Sequence, residues 1–403
     1  MRIFVVQESD WIDKGPHQQH HLMERLSLKG HRVRVIDFEI EWRRKPKSEL
    51  YSKRKEFNGV SKACKGLGVT VVRPGVLKLP LLDYASILLT HSMEIRRQMV
   101  EFKPDVIVGL GILNTFIAMK VSKLYRVPFV YYLIDTLHTL IPCQPLRFLG
   151  KQFESHTLKH SDVVCVINEE LKRYAVEMGA RPERVHVVRA GVDVERFNPN
   201  VDSYAMRAKL GIDKDDVVLF FMGWLYPFSG LKEVAIELAK VKDSYPNTKL
   251  LIVGDGSLYH ELQQIKENYS LRQLILAGWQ PYEDIPEYIA ASDICLLPAY
   301  NNEVMRNIVP IKMYEYMACG KPVISTRLPG IMKEFGHNNG VIYIEQPKEV
   351  LKKVIELRND DGSIREQGNK ARNFVEKYSW DKITESFEDI LNSLVKNANQ
   401  TKS

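Results

Sequence analysis

The stretch NNEVMRNIVPIKMYEYMACGKPVIST, Asn301 to Thr326, decides how the rest of the chain is read. It opens on polar, turn-forming residues and then reaches Pro310. Proline suits the first turn of a helix, where a missing N–H costs nothing. A short helix over Pro310 to Ala318 is predicted, ended by Gly320, with Lys321 to Thr326 as a buried strand. Such a helix start leaves free N–H groups and a positive dipole end, which suits a phosphate. Arg306 and Lys312 sit at that start and add positive charge. Glu315, one turn further in, can accept two hydrogen bonds from a vicinal diol such as a ribose. Phosphate site and diol acceptor together point to a nucleotide diphosphate. The plainer reading is an ordinary βα unit with a surface lysine and glutamate.

The totals bound the answer. With 403 residues the chain is too long for one ordinary core, so two domains are expected. The net charge of +7 fits an anionic substrate or an anionic membrane surface, and does not by itself argue for nucleic acid. Five cysteines, Cys64, Cys143, Cys165, Cys295 and Cys319, have no metal-ligand or redox-pair spacing and read as free thiols of a reducing cytosol. The start, MRIFVVQESD, goes straight into a strand, so no signal peptide is expected. No apolar run reaches the ~20 residues needed to span a bilayer. A cytoplasmic protein is expected, with peripheral contact at the inner face of a membrane as an option.

In the first half, β-branched runs alternate with helical stretches: Ile3–Val6, Arg32–Asp37, Val69–Val72, Asp105–Gly109, Phe129–Ile134, Val163–Ile167 and Val185–Val188. This pattern predicts βαβ units and a parallel sheet, with ligands outside the C-terminal strand ends. The loop Gln7 to His21 carries Gly15-Pro16 and then His17, His20 and His21. These histidines allow a metal, a capping role, or contact with sugar or phosphate; no HExxH-type partner follows. Trp42 to Phe57 holds Arg43, Arg44, Lys45, Lys47, Lys53, Arg54 and Lys55 against three glutamates. It reads as a solvated face or as attraction to anionic headgroups, with the apolar Leu77 to Leu89 downstream. Val106 to Asn114 (VIVGLGILN) with Asp135 gives most of a dinucleotide fingerprint, but Asn114 stands where the third glycine belongs, so a tight βα turn is the milder reading. Tyr131 to Leu140 places Asp135 and His138 at a strand end, as candidates for cleft chemistry or as a cap and a packed histidine.

In the second half, Gly191 to Pro199 (GVDVERFNP) is a turn, an aromatic anchor and a stop, and should mark a linker. Asp213-Lys214-Asp215 lies in a charged turn and reads as surface. Val217 to Gly230 (VVLFFMGWLYPFSG) is a strand and a loop, with Gly223 and Gly230 suited to close approach by phosphate. Further strands are Leu250 to Gly256 (LLIVGDG), Ile275 to Gln280 (ILAGWQ) and Ala291 to Pro298. Trp279 follows a strand-end glycine, and packing in the core is one reading of it. Ser379 caps an amphipathic helix from Trp380 to Val395, and Asn397 to Ser403 is expected to be disordered.

MYEYMACGKPVIST resembles the nucleotide-binding segment of glycosyltransferase family 4, retaining sugar transferases of the GT-B fold. In that family the second glutamate of a Glu-x7-Glu pair holds the donor ribose, and Glu315 matches it. Asn307 replaces the first, so the chain is more similar to a subgroup reading Pro-x-Lys-x-x-Glu-Tyr, here Pro310, Lys312, Glu315 and Tyr316. Gly191 to Pro199 resembles the family's interdomain element. The resemblance implies an α/β GT-B fold, two Rossmann-like domains facing across a cleft. These are an acceptor domain over 1–200, joined by the helix at about 380–398, and a donor domain over 203–379. It implies transfer of a hexosyl group from a nucleotide-diphosphate sugar to an acceptor hydroxyl of a lipid or glycan, without metal or other cofactor. The implied donor set is Gly223, Ser229, Gly230, Gly254, Gly278, Trp279, Gln280, Arg306, Asn307, Ile311, Lys312 and Glu315. Gly15, His17 and His20 fall on the acceptor side, and Asp135 and His138 face sugar and acceptor. The family's usual Arg and Lys of the diphosphate loop are replaced by Trp224 and Ser229. A diphosphate leaving group needs compensating charge, so Lys312, with Arg306, is expected to supply it. A non-catalytic nucleotide-sugar-binding protein and a nucleotide-sugar epimerase are the rival readings.

Overall fold

The computed structural model describes residues 1–13, 16–40, 42, 49–64, 66, 68–79, 82–141, 143–306, 308–360 and 362–400. The chain divides into two compact units: Met1–Ala190 together with the chain from Trp380 onward, and Gly191–Ser379.

The first unit runs β1 (Arg2–Gln7), α1 (Gln18–Leu28), β2 (Arg32–Ile36), β3 (Tyr51–Ser52), β4 (Lys55–Val60), β5 (Val69–Arg73), β6 (Val76–Leu77), α2 (Leu82–Glu101), β7 (Val106–Leu110), α3 (Leu113–Tyr125), β8 (Phe129–Leu133), α4 (Gln144–His160), β9 (Val163–Val166), α5 (Glu169–Glu177) and β10 (Val185–Val187). Among the described residues its main sheet has eight strands in the order β10-β9-β8-β7-β1-β2-β5-β4. The central strands VIVGL and FVYYL are buried along their whole length, as strands covered on both faces must be. The pairs are parallel except at the edge, where β4 runs antiparallel to β5. That edge was not visible in the sequence, because its KEFNGV alternates weakly and lies at the end of the basic run. Its Arg54 is pinned to Glu94 on α2 by two bonds of 2.9 and 3.1 Å, so this cation already has an ionic partner. Arg43, Arg44, Lys45 and Lys47 lie outside the described residues.

The second unit runs α6 (Tyr204–Leu210), β11 (Val217–Met222), α7 (Leu231–Val241), β12 (Thr248–Val253), α8 (Tyr259–Asn268), β13 (Leu274–Gly278), α9 (Ile285–Ala290), β14 (Ile294–Leu297), α10 (Ile311–Ala318), β15 (Val323–Thr326), α11 (Pro329–Phe335), β16 (Val341–Ile344), α12 (Val350–Asn359) and α13 (Ser363–Val375). Its sheet is parallel, in the order β13-β12-β11-β14-β15-β16. This is the doubly wound arrangement, with a reversal between β11 and β14. Gly191–Pro199 clusters with this unit.

The last helix, α14 (Trp380–Gln400), returns to the first unit. Trp380 stacks on His21 at 4.5 Å, Phe387 on Tyr132 at 5.5 Å, and Glu388 accepts from His31 at 2.7 Å. The helix continues through Asn397 to Gln400, so the disorder expected from Asn397 onward is corrected for those four residues. No Pro or Gly interrupts WDKITESFEDILNSLVKNANQ, so nothing in the backbone stops the helix earlier.

Candidate functional site

Ligands of open parallel sheets bind at the C-terminal strand ends, where the order reverses. At that edge of the second unit, β11, β12 and β13 end in Gly223, Gly254 and Gly278, with φ of 123°, 142° and 68°. Gly223 N–H donates to Val253 O at 2.9 Å, and Gly254 N–H to Gly278 O at 2.8 Å. A Cβ on Gly254 would lie 2.0 Å from the Gly223 carbonyl oxygen, so these loops approach as only glycine allows. Gly230, at the start of α7, is equally constrained: a Cβ there would lie 2.0 Å from Pro298 O. The preceding Ser229 is buried, and its Oγ has no partner among the described residues.

The Asn301–Thr326 segment completes this edge. Pro310 is the N-cap and Ile311 the first helical residue of α10. Gly320 N–H donates to Met317 O at 3.0 Å and Lys321 N–H to Tyr316 O at 3.1 Å, closing the helix in a Schellman motif. Lys312 reaches back to the Gly223 turn. Its Nζ donates to Met222 O at 2.5 Å, lies 4.2 Å from the Phe221 ring centre, and would be 2.6 Å from a Gly223 Cβ. Burial pushes this ammonium down to about 8, against the opposite pull of Glu315. Glu315, three residues on and so on the same helix face, is only 5% exposed. Burial pushes its carboxyl up to about 7, opposed by the hydrogen bond from Tyr282, which donates to Oε1 at 2.6 Å, and by Lys312 and Arg196.

Other expected donor residues are placed less centrally. Trp279 is 71% exposed, which excludes the core alternative. Gln280 Nε2 donates to Ala277 O at 2.7 Å and shapes its own turn. Arg306 is exposed on the loop ahead of α10, so Lys312 is the cation seated at the glycine edge. Asn307 and Gly15 lie outside the described residues. Asp213 and Asp215 are exposed, and the described residues contain no cluster of three His, Cys, Asp or Glu side chains able to hold a metal. A depression lined by Asp293, Lys321, Arg358 and Arg365 opens at the N-terminal strand edge and includes none of the donor residues.

In the first unit, His20 is not an acceptor-facing group. Its Nδ1 accepts from His17 N–H at 3.0 Å, its Nε2 meets Trp11 O at 3.3 Å, and its ring lies 4.0 Å from Trp11. Burial pushes it down to about 3, so it stays neutral and holds the loop. His17 is the exposed N-cap of α1, 6.0 Å from His20 ring to ring. The fingerprint at Gly109-x-Gly111 is occupied by the chain itself: Glu8 Oε1 accepts from Ile112 N–H at 3.0 Å and Asn114 N–H at 2.6 Å. A phosphate cannot use donors already closed by a carboxylate, which removes the dinucleotide reading. At the end of β8, Asp135 accepts from Thr136 N–H at 2.8 Å, and burial raises its carboxyl above the usual range. His138 Nδ1 lies 2.7 Å from Glu154 Oε2, which also accepts from the Tyr174 hydroxyl at 2.7 Å. The buried Glu154 thereby fixes the ring of His138 through Nδ1. Glu8, Glu154, Tyr174, Tyr282 and Arg196 were missed in the sequence; each acts through a contact distant along the chain, and no local motif signals it.

Two family models match the chain: one described as glycosyl transferases group 1, over residues 202–374, and one as glycosyltransferase family 4, over residues 18–196. The chain is similar to the family 4 glycosyltransferases. Among curated relatives of this chain, a D-inositol 3-phosphate glycosyltransferase of Streptomyces bingchenggensis is 26% identical over 57% of the chain and 52% of the relative. A GDP-mannose-dependent phosphatidylinositol monomannoside mannosyltransferase of Corynebacterium glutamicum is 29% identical over 62% of the chain and 65% of the relative. The chain thus spans about half to two thirds of the length of these relatives. HepE of Anabaena, solved in complex with UDP, superimposes with a TM-score of 0.74 at 18% identity, covering 98% of the chain and all of HepE. Sucrose-phosphate synthase of Thermosynechococcus elongatus gives 0.78 at 14% identity over 98% of the chain. The fold is GT-B, with an α/β unit on either side of the 190/191 boundary.

Proposed function

We propose that this glycosyltransferase moves a hexosyl group, with retention, from a nucleotide-diphosphate sugar to an acceptor hydroxyl of a lipid or glycan, and needs no metal to do so. The observation that carries the donor assignment is Lys312: a half-buried lysine whose ammonium is held at the Gly223 turn, three residues from a buried carboxylate. Departure of a nucleoside diphosphate develops negative charge on the β-phosphate. A fixed cation and backbone N–H groups at the glycine turns and at the start of α10 stabilise that charge without reorganisation. Lys312 stands in for the Arg and Lys that Trp224 and Ser229 replace, and the unpartnered Ser229 hydroxyl is a further donor. Glu315 accepts the ribose hydroxyls, and Trp279 and Gln280 flank the base. Asp135 and His138 serve the acceptor side, where Glu154 holds the imidazole in one orientation. The leaving phosphate takes the acceptor proton, so no side-chain nucleophile is required, and positioning supplies most of the rate.

Relatives whose names specify phosphatidylinositol mannoside or diphosphoundecaprenol acceptors favour a lipid acceptor. So do Leu82, Leu89, Met93 and Val100, exposed along one stripe of α2 and spaced for a helix face. No helix among the described residues is long and apolar enough to cross a membrane, so the proposed association is peripheral. The deciding experiment is titration with UDP, GDP and ADP and then with the sugars of the base that binds, followed by transfer to lipid and glycan acceptors. Binding without transfer or hydrolysis would favour the non-catalytic alternative that Trp224 and Ser229 raise, and turnover without acceptor would favour an epimerase.

A further inference from the structure

Tyr282 has no assigned role, yet it touches the most perturbed carboxyl of the second unit's glycine edge. Its hydroxyl donates to Glu315 Oε1 at 2.6 Å. The Arg196 guanidinium lies over its ring at 4.5 Å, and Phe197 packs on the same ring at 5.8 Å. Arg196 is itself fixed, its N–H donating to Asp193 Oδ1 at 3.1 Å. The next residue is tied to the far end of α10: Arg372 Nη1 donates to both Phe197 O at 3.1 Å and Ala318 O at 2.8 Å. The 191–199 segment therefore grips the helix that carries Glu315 at its middle and at its end.

We propose that Tyr282, seated under Arg196, is a positioning residue of the nucleoside subsite, presenting the Glu315 carboxylate to the ribose diol in one orientation. This rests on the reading of Glu315 as the ribose acceptor. A carboxylate offers about four lone-pair directions, and the tyrosine uses one, which leaves room for two ribose hydroxyls. The phenol stays protonated, because burial and the adjoining Glu315 both raise it well above the ordinary tyrosine range. It is therefore a permanent donor, and its hydrogen bond favours the ionised carboxylate that two hydroxyl donors require. The charged and titratable groups facing this carboxyl are Tyr282 and Arg196 from other segments, Lys312 and Tyr316 on its own helix and Cys319 at that helix's C-cap, while Asp193 acts on Tyr282. Of these, Tyr282, Lys312 and Arg196 hold Glu315 down, and Tyr282 has the largest influence.

The test uses Tyr282→Phe, which keeps the ring under Arg196 and removes only the hydroxyl. Whichever of UDP, GDP and ADP binds best is titrated alongside its 2′,3′-dideoxy analogue, from pH 6 to 9. The expected result is a Kd about tenfold weaker for the ribonucleotide, little change for the dideoxy analogue, and an acid limb of binding moved to higher pH. Equal losses for both nucleotides, or an unmoved acid limb, overturn the proposal. Arg196→Met is expected to shift the limb in the same direction by less, and carries the test if the phenylalanine variant does not fold. Glu315→Ala separates the two ideas. If it leaves ribonucleotide binding unchanged, the ribose assignment itself fails; if it weakens binding while Tyr282→Phe does not, only the role of Tyr282 fails.

Discussion

Replacing Lys312 by methionine should separate donor binding from folding. In the unliganded protein Nζ donates to the Met222 carbonyl, and burial disfavours its charge. Methionine has a similar length and no charge to desolvate. Loss of that hydrogen bond costs about 1 kcal/mol, and relief of a buried charge offsets a similar amount. The unliganded variant should therefore unfold within about 1 kcal/mol of the parent. With a diphosphate in place the ammonium makes charge-assisted hydrogen bonds worth about 1.5–3 kcal/mol, so Kd should weaken about 10- to 150-fold. Lys312 also holds the Glu315 carboxyl down, so the acid limb of residual binding should move to higher pH. Calorimetric titration with nucleoside diphosphates and a thermal melt of the same samples measure all three. A lowered melting temperature with an unchanged Kd would refute the assignment, since it would make Lys312 a strut and nothing more.

In the proposed roles, donor binding needs Glu315 ionised, hence pH above about 7, and Lys312 charged, hence pH below about 8. Affinity against pH should be a narrow bell near ~7.5, and a flat profile from 6 to 9 would contradict the pairing. Gly254→Ala forces a methyl against the Gly223 carbonyl in a left-handed backbone and should lower stability by about 3 kcal/mol in denaturant titration. Gly278→Ala meets nothing within 4 Å and should cost about 1 kcal/mol. His138→Ala should leave nucleotide Kd unchanged and lower the transfer rate about 100-fold, read by product formation at saturating donor. Glu8→Gln keeps a cap on α3 but cannot ionise. The raised Glu8 carboxyl, about 7, makes the folded parent lose stability as pH climbs from about 4.5 to 7, and urea midpoints of the variant should lack that decline.

Much of the second unit was legible because its signals are local. The proline start, the glycine stop and the apolar run between them fix α10 to within a residue. VVLFFM and LLIV announce buried strands through unbroken apolar character. Lys312 and Glu315 could be paired from their spacing alone. The first unit was less transparent. His20 looked like a ligand because histidines cluster in sequence, but its partners are Trp11 and a backbone amide, and only the folded loop brings Trp11 over it. Glu8 sits more than a hundred residues from the amides it caps. The β4 edge escaped because its side chains are mostly exposed, so its pattern carries no hydrophobic period.

The carboxylate of Glu8 has a wider meaning for a chain made of two similarly wound halves. Each half ends a central strand in a glycine turn beside a helix, so each could in principle have trapped the same anionic guest. In the first half that berth is filled by the chain's own side chain, with its oxygen on the amides of Ile112 and Asn114. In the second half the matching position carries Gly223 and a lysine. One glutamate is enough to break the likeness between the halves and to close the first half's berth to the nucleotide proposed for the second.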